Sequence, residues 1–263
     1  MQKVAVVTGG SSGIGQQTAR FLSASGVKVY ELSRRDAQNT GICHISADVT
    51  DEAAVKEAFA QVLDTEGHLD ILVNCAGFGI SGAIEFTSPE DAKRQLDVNF
   101  FGTVNCTRAA LTAMRKQGNG RIVCISSVAG PVPIPFQAFY SASKAAINSF
   151  VMSLANEVRP YGISVCAVQP GDISSGFTDA RNKSLDGDEE YGGRILRSVQ
   201  VMEHDERTGM HPSQAGIYIA QTALRKNVKP LYAIGFKYKA FCVLMKLLPC
   251  RLSNYIIGMI YAR

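Results

Sequence analysis

"KVAVVTGGSSGIG", residues 3 to 15, runs from valines and an alanine into four glycines set among threonine and serines. The apolar half has the length and β-branched content of a buried strand, and the turn that follows opens a stretch, 13 to 25, with the apolar spacing of a helix. Glycines at 9, 13 and 15 let the backbone turn sharply and come close to a ligand. The helix start meanwhile offers unpaired N–H groups and the positive end of its dipole. A pyrophosphate fits such a turn. Strand-to-helix turns favour glycine in any case, so the weight lies in the placement between a strand and a helix.

Outward from this stretch the same alternation continues. "KVYELS" (28 to 33), "ICHISA" (42 to 47), "LDILVN" (69 to 74), "RIVCIS" (121 to 126), "ISVCAV" (163 to 168) and "PLYAIG" (230 to 235) read as further strands. Helical patterns over 51 to 65, 89 to 117, 137 to 160 and 213 to 226 separate them. Nearly continuous apolar strands divided by helices predict a parallel sheet covered on both faces, a single-domain doubly wound (Rossmann) α/β fold of seven strands. Ligands of such a sheet bind beyond the carboxyl ends of its strands. The domain is expected over 1 to 235, with 236 to 263 as an extension of it. The glycine-rich, charged segment 174 to 212 is expected to be an irregular lid.

The second strand ends "YELSRR", with Ser33, Arg34 and Arg35 where an NAD site usually presents a carboxylate to the ribose. A hydroxyl and cations suit a 2′-phosphate, so NADP(H) is preferred over NAD(H). Glu31 would favour the opposite choice, but it falls inside the strand pattern.

Of the 263 residues 46% are apolar and 19% charged, which excludes a disordered chain or a coiled coil. Seven scattered cysteines, most of them within apolar runs, read as reduced core residues, and the N-terminus shows no signal-peptide pattern; a cytoplasmic setting is expected. The four histidines, at 44, 68, 204 and 211, stand apart, so no metal site is expected. The net charge of +4 is uneven: past Glu206 there are nine Lys or Arg and no acid, leaving 18 basic against 23 acidic residues upstream. That basic tail would suit phosphates, an anionic membrane surface, an acidic patch on a partner, or plain solvent exposure. From 236, "FKYKAFCVLMKLLPCRLSNYIIGMIYAR" is apolar with interspersed cations. It would wall a pocket, lie on a membrane surface or pack against a second subunit.

"QAFYSASKAAINSF", 137 to 150, puts Tyr140 and Lys144 four residues apart on one helical face. Spacing alone does not separate chemistry from an ordinary buried helix. The surrounding residues do. "TGGSSGIG" (8 to 15), "DV" (48 and 49), "NCAG" (74 to 77), "LDVNFFG" with Asn99, "ISSVAG" with Ser127, "YSASK" (140 to 144) and "QPGDISS" (169 to 175) occur in the order of the short-chain dehydrogenase/reductase family. The chain resembles that family over about 3 to 235. Two places differ from the usual pattern: Cys75 is the second residue of the "NCAG" turn, and Ser175 stands where threonine often holds the nicotinamide carboxamide. "GPVPIPFQAFYSASKAAI" is similar to the hydroxysteroid and retinol dehydrogenase branch.

The resemblance implies cofactor contacts from Gly9, Ser11, Ser12, Gly13, Ile14 and Gly15, from Ser33, Arg34, Arg35, Asp48 and Val49, and from Asn74, Ala76 and Gly77. Tyr140, Lys144, Pro170, Gly171, Ile173 and Ser175 complete that set. It also implies four catalytic residues, Asn99, Ser127, Tyr140 and Lys144. Tyr140 would exchange a proton with a carbonyl or alcohol oxygen, and Ser127 would hydrogen-bond the same oxygen. Lys144 would hold the ribose and, together with the charge of an oxidised nicotinamide ring, draw the phenol, at ~10 when isolated, toward neutrality, and Asn99 would anchor a water chain. The expected activity interconverts a ketone and a secondary alcohol on a hydrophobic, steroid-like substrate. Reduction of 3-oxoacyl thioesters and a catalytically silent dinucleotide-sensing regulator are the alternatives. The expected assembly is a homodimer or homotetramer with no nucleic acid, and the tail is expected to make peripheral membrane contact.

Overall fold

In the computed structural model, which describes residues 1 to 262, each valine-rich run is a strand whose alternate side chains enter two different apolar layers. Val4 and Val6 of the first strand lie in one layer and Ala5 and Val7 in the other. A strand covered on both faces has no polar side, which is why its sequence is continuously apolar.

In chain order the elements begin with β1 (Val4–Thr8), α1 (Gly13–Ala24), β2 (Lys28–Ser33), β3 (Cys43–Ser46), α2 (Glu52–Glu66), β4 (Ile71–Asn74) and a short β5 (Ile80–Ser81). There follow α3 (Pro89–Leu96), α4 (Gly102–Gln117), β6 (Gly120–Ile125), α5 (Ala138–Val158) and β7 (Ile163–Gln169). The chain ends with α6 (Phe177–Ala180), β8 (Asn182–Lys183), α7 (Arg194–Arg207), α8 (Pro212–Leu224), β9 (Leu231–Ala233), α9 (Phe236–Leu247) and α10 (Cys250–Tyr261).

Seven strands form one parallel sheet, as expected, and they lie in the order β3-β2-β1-β4-β6-β7-β9. Val6 of β1 is flanked by Tyr30 of β2 and Leu72 of β4. Helices α2, α4 and α5 cover one face through Val62, Met114 and Ile147, and α1 and α8 cover the other through Leu22 and Ile219. The chain winds outward from β1 to β3, then crosses back to β4 on the other side of β1. Above β1 and β4 the connections therefore diverge, leaving a crevice at the strand ends.

Local chemistry sets the helix ends. Asp51 caps α2 by accepting from the N–H groups of Ala53 and Ala54 at 2.9 and 3.0 Å, and Gly67 ends it at φ 74°. The pattern over 89 to 117 predicts one helix, but the structure breaks it at a π turn over Asp97–Phe101. Such single turns widen a helix and re-aim its side chains, and here the turn buries Asn99.

The segment 174 to 212 is also more ordered than its composition predicts. It holds the 14-residue α7, and β8 pairs in parallel with β5, Ile80 beside Asn182. Its glycines and the acidic run 186 to 190 lie in the turns between these elements, while many of its other charges sit on α7, so composition overstates its irregularity. The last two helices join the body through a small apolar cluster of Val132, Met245 and Ile257.

Gln95 of α3 is fully buried and bridges the loop after β4, its Oε1 accepting from the Ile80 N–H at 2.8 Å and its Nε2 donating to the Phe78 carbonyl at 2.7 Å. Gln95→Leu strands the Ile80 N–H in the interior, and the urea midpoint should report a loss of about 2–3 kcal/mol.

Candidate active site

The glycine turn is shaped by close backbone approach. A Cβ on Gly9 would fall 2.8 Å from the Ala76 Cα, and one on Gly15 2.3 Å from the Gly9 carbonyl oxygen. Thr8 ties the two strand-end loops together, its hydroxyl accepting from the N–H groups of Cys75 and Ala76, both at 3.1 Å. Ser12 starts α1 in extended backbone without a side-chain cap, and no acid sits in the first turn. The first N–H groups of α1 thus lack side-chain partners on a wall shared by Ser11, Ser12, Gly13, Ile14 and Gly15. That cradle fits the phosphates of a dinucleotide.

The cavity continues from this cradle along Ser33, Arg34, Arg35, Asp48 and Val49 on one side, and Ala76 and Gly77 on the other. The Arg34 side chain is 75% exposed and 3.9 Å from Asp48, free to turn toward a phosphate. Glu31 faces inward at 1% exposure, in contact with His44 Nδ1 at 2.5 Å, and takes no part in the cavity wall.

At the far end the cavity reaches Ser127, Tyr140 and Lys144. Tyr140 and Lys144 share one face of α5, and the Lys144 Nζ lies 5.6 Å from the Tyr140 ring centroid. The ammonium donates to the carbonyl of Ile125, the last residue of β6, at 2.8 Å, and the Ser126 hydroxyl donates to the Lys144 carbonyl at 3.0 Å. Gly130 makes room for this packing, since a Cβ there would lie 3.0 Å from the Lys144 carbonyl oxygen.

Burial decides the titration of both groups. It pushes the Tyr140 phenol up to about 12, against the opposing pull of the Ser127 hydrogen bond and the Arg181 charge. It brings the Lys144 ammonium down to about 8. With the protein's own groups alone, desolvation outweighs the attractive charges and the phenol stays protonated at neutral pH; the expected move toward neutrality counted the charge of an oxidised nicotinamide as well.

Two expected site residues lie behind the wall rather than on it. Asn74, buried at the end of β4, donates to Thr107 Oγ1 at 3.1 Å, and its backbone leads into the cavity-lining Cys75. Asn99 spends its side chain on protein groups: Oδ1 accepts from the Phe78 N–H at 3.0 Å, and Nδ2 donates to the Phe78 carbonyl and to Ser143 Oγ, each at 3.1 Å. Ser143 in turn donates to the Tyr140 carbonyl at 2.7 Å. Asn99 therefore touches Phe78 and Ser143 rather than the cavity itself.

The family model described as short chain dehydrogenase matches residues 3 to 186. The chain is a short-chain dehydrogenase. It is 42% identical to the 3-ketodihydrosphingosine reductase of Bacteroides thetaiotaomicron, over 99% of this chain and 98% of that protein. Among solved structures it is similar to a short-chain dehydrogenase from Streptomyces avermitilis, with TM-score 0.84, 30% identity, and coverage of 97% and 96% of the two chains. It is also similar to ElxO with NADP bound, with TM-score 0.77, 27% identity, and coverage of 91% and 100%.

Most of the dehydrogenase's remaining wall comes from residues past the end of β7. Pro170, Gly171, Ile173 and Ser175 line the cavity, and the Tyr238 ring packs on Gly171, where a Cβ would lie 2.3 Å from it. The Tyr238 hydroxyl donates to Asp172 Oδ2 at 2.5 Å. Phe177 stands 5.8 Å from the Tyr140 ring, and Ile134, Met202 and Tyr261 add apolar surface to a cavity of about 910 Å³. Buried Arg181 pairs with Glu206, which also accepts from Thr178 Oγ1 at 2.7 Å, so α6 and β8 are pinned to α7.

Sequence reasoning missed Ile134, Phe177, Met202, Glu206 and Tyr261. Phe177, Met202 and Glu206 fall in the expected lid and Tyr261 in the tail expected to wall a pocket, but no local pattern singled out these residues. Replacing Gly15 by alanine forces a side-chain carbon onto the Gly9 carbonyl. The Gly15→Ala variant should bind NADPH and NADH at least about tenfold more weakly in a fluorescence titration of the dihydronicotinamide.

Proposed function

We propose that this short-chain dehydrogenase reduces a ketone on a long, hydrophobic substrate, and oxidises the corresponding secondary alcohol in reverse, using NADP(H). One observation carries the reading: a single cavity joins the uncapped start of α1, the cations at the end of β2, the Ser127–Tyr140–Lys144 group and a far wall in which Ile134, Phe177, Met202 and Tyr261 stand beside Asp172 and Glu206. Asn99, Ser127, Tyr140 and Lys144 are the functional group we assign, Asn99 as a positioning residue.

When bound, the reduced dinucleotide supplies the hydride that reaches the carbonyl carbon. Tyr140 gives its phenolic proton to the carbonyl oxygen as negative charge gathers there. Ser127, which lines the cavity beside the phenol, donates to the same oxygen. The Lys144 ammonium beneath the ring lowers the cost of the phenolate left behind. A phenol that is protonated before reaction and stabilised only as charge develops matches a general acid for ketone reduction.

Ser33, Arg34 and Arg35 support NADP(H), because their hydroxyl and cations would meet a 2′-phosphate while Glu31 is turned into the protein. The name of the Bacteroides relative, similar over nearly the whole of both chains, supports a long-chain ketone of the 3-ketodihydrosphingosine kind ahead of a steroid.

Assayed with a panel of long-chain, steroid and 3-oxoacyl ketones, the wild type should turn over the long-chain ketones, with NADPH at least about tenfold better than NADH in kcat/KM. Tyr140→Phe should bind NADPH normally and lose turnover by on the order of 10²–10⁴. Equal turnover of the variant would remove the tyrosine from the chemistry, and turnover of none of the ketones would remove the reading altogether.

The ionisation of Lys144 sets the pH profile. With its pKa lowered to about 8, the ammonium is full below that value and lost above it, while the Tyr140 phenol, at about 12, stays protonated throughout. For ketone reduction, kcat/KM should be flat near neutrality and fall above an apparent pKa near 8. A profile flat to pH ~9.5 would show that the lysine charge plays no part in the rate.

A further inference from the structure

Helices α9 and α10 carry apolar side chains on both faces. The inward face of α9 packs Met245 with Val132 and Ile257, as a helix on a globular body should. The outward face is not polar. Phe236 is 88% and Leu247 77% exposed, and Val243 and Leu244 lie between them on the same side of the helix. On α10, Leu252 and Tyr255 are exposed as well.

The charges that α9 and α10 themselves carry have one sign, and the carboxylate of Asp172 lies on their inward side, bonded by Tyr238. Lys237, Lys239, Lys246 and Arg251 border it, no Asp or Glu occurs anywhere past Glu206, and none of the four has an ion pair with a carboxylate among the described residues. Lys237 and Lys239 instead lie over the rings of Tyr238 and Tyr218 at 5.5 and 6.0 Å. An apolar strip edged by cations is complementary to an anionic bilayer surface, whose headgroups take the charges while its acyl boundary takes the side chains. No helix among the described residues is long and apolar enough to cross a membrane, so the strip would lie in the interface. Tyr261, at the end of α10, lines the same cavity as Tyr140, so the helix that would touch lipid also walls the substrate site.

We propose that the outward face of α9 and α10 docks this enzyme on an anionic membrane surface. The proposal stands on exposure and charge and is independent of the substrate reading above. The full chain is mixed with vesicles of equal phosphatidylglycerol and phosphatidylcholine, or of phosphatidylcholine alone, and centrifuged. The protein should sediment with the anionic vesicles, stay in solution with the neutral ones, and be released at about 1 M salt, where charge attraction is screened. Phe236→Ser/Leu247→Ser should weaken sedimentation at least about tenfold. Lys239→Gln/Lys246→Gln should weaken it by on the order of 30-fold, at roughly 1 kcal/mol per cation. Both double variants change exposed side chains only and should keep the wild-type urea midpoint and ketone reductase rate.

The chain contains no tryptophan, so Leu247→Trp adds a single reporter whose emission should shift to the blue with anionic vesicles. Wild-type protein that stays in solution with anionic vesicles overturns the proposal, as does sedimentation unchanged in either double variant. A dimer seen by light scattering, lost in Phe236→Ser/Leu247→Ser and unaccompanied by vesicle binding, also overturns it and assigns the face to a second copy of the chain.

Discussion

Lys144 keeps its ammonium inside the protein by donating to the carbonyl of Ile125. That bond fastens α5 to the end of β6 and fixes the height of Tyr140 above the sheet. A buried lysine is costly unless its protons are placed, and this one loses part of its basicity to burial. Much of the surrounding chain serves the same placement: Ser126 and Gly130 pack on its backbone, and Asn99, aimed inward by the π turn, holds Ser143 one residue away. Remove the seat of the ammonium and the phenol has neither a fixed position nor a cation beneath it.

The dinucleotide end rests on a different constraint, the absence of side chains. Gly9 and Gly15 allow the first turn to lie against the Cys75–Ala76 backbone, and Thr8 closes the contact with two accepted hydrogen bonds. The two ends meet in one crevice because the chain reverses direction between β1 and β4. Topology places the parts of the site, and local chemistry makes each part suitable.

The substrate end is assembled differently, from pieces far apart in the chain. Phe177 reaches Tyr140 because Arg181 is held by Glu206 of α7, and Tyr261 reaches the wall because α9 and α10 pack on Val132. The wall beyond Tyr140 is thus the part of the cavity with the fewest local signals in the sequence.

The parallel sheet and the cofactor turn were legible in the chain because each depends on neighbours in sequence: apolar runs of strand length, glycines at a turn, Tyr140 and Lys144 one helical turn apart. Their chemistry was legible only in part. Asn74 and Asn99 lie behind the wall, and the phenol is held up by burial, because desolvation and hydrogen-bond partners depend on what the rest of the chain brings alongside. The order hidden in 174 to 212, the turning inward of Glu31, and the contact of Tyr261 with the cavity were settled by packing between distant segments. By itself the sequence determined the parallel sheet and the placing of a dinucleotide beside a tyrosine. The tertiary structure alone decided which side chains face the substrate and which of their protons are held, since both depend on long-range contacts and exclusion from water.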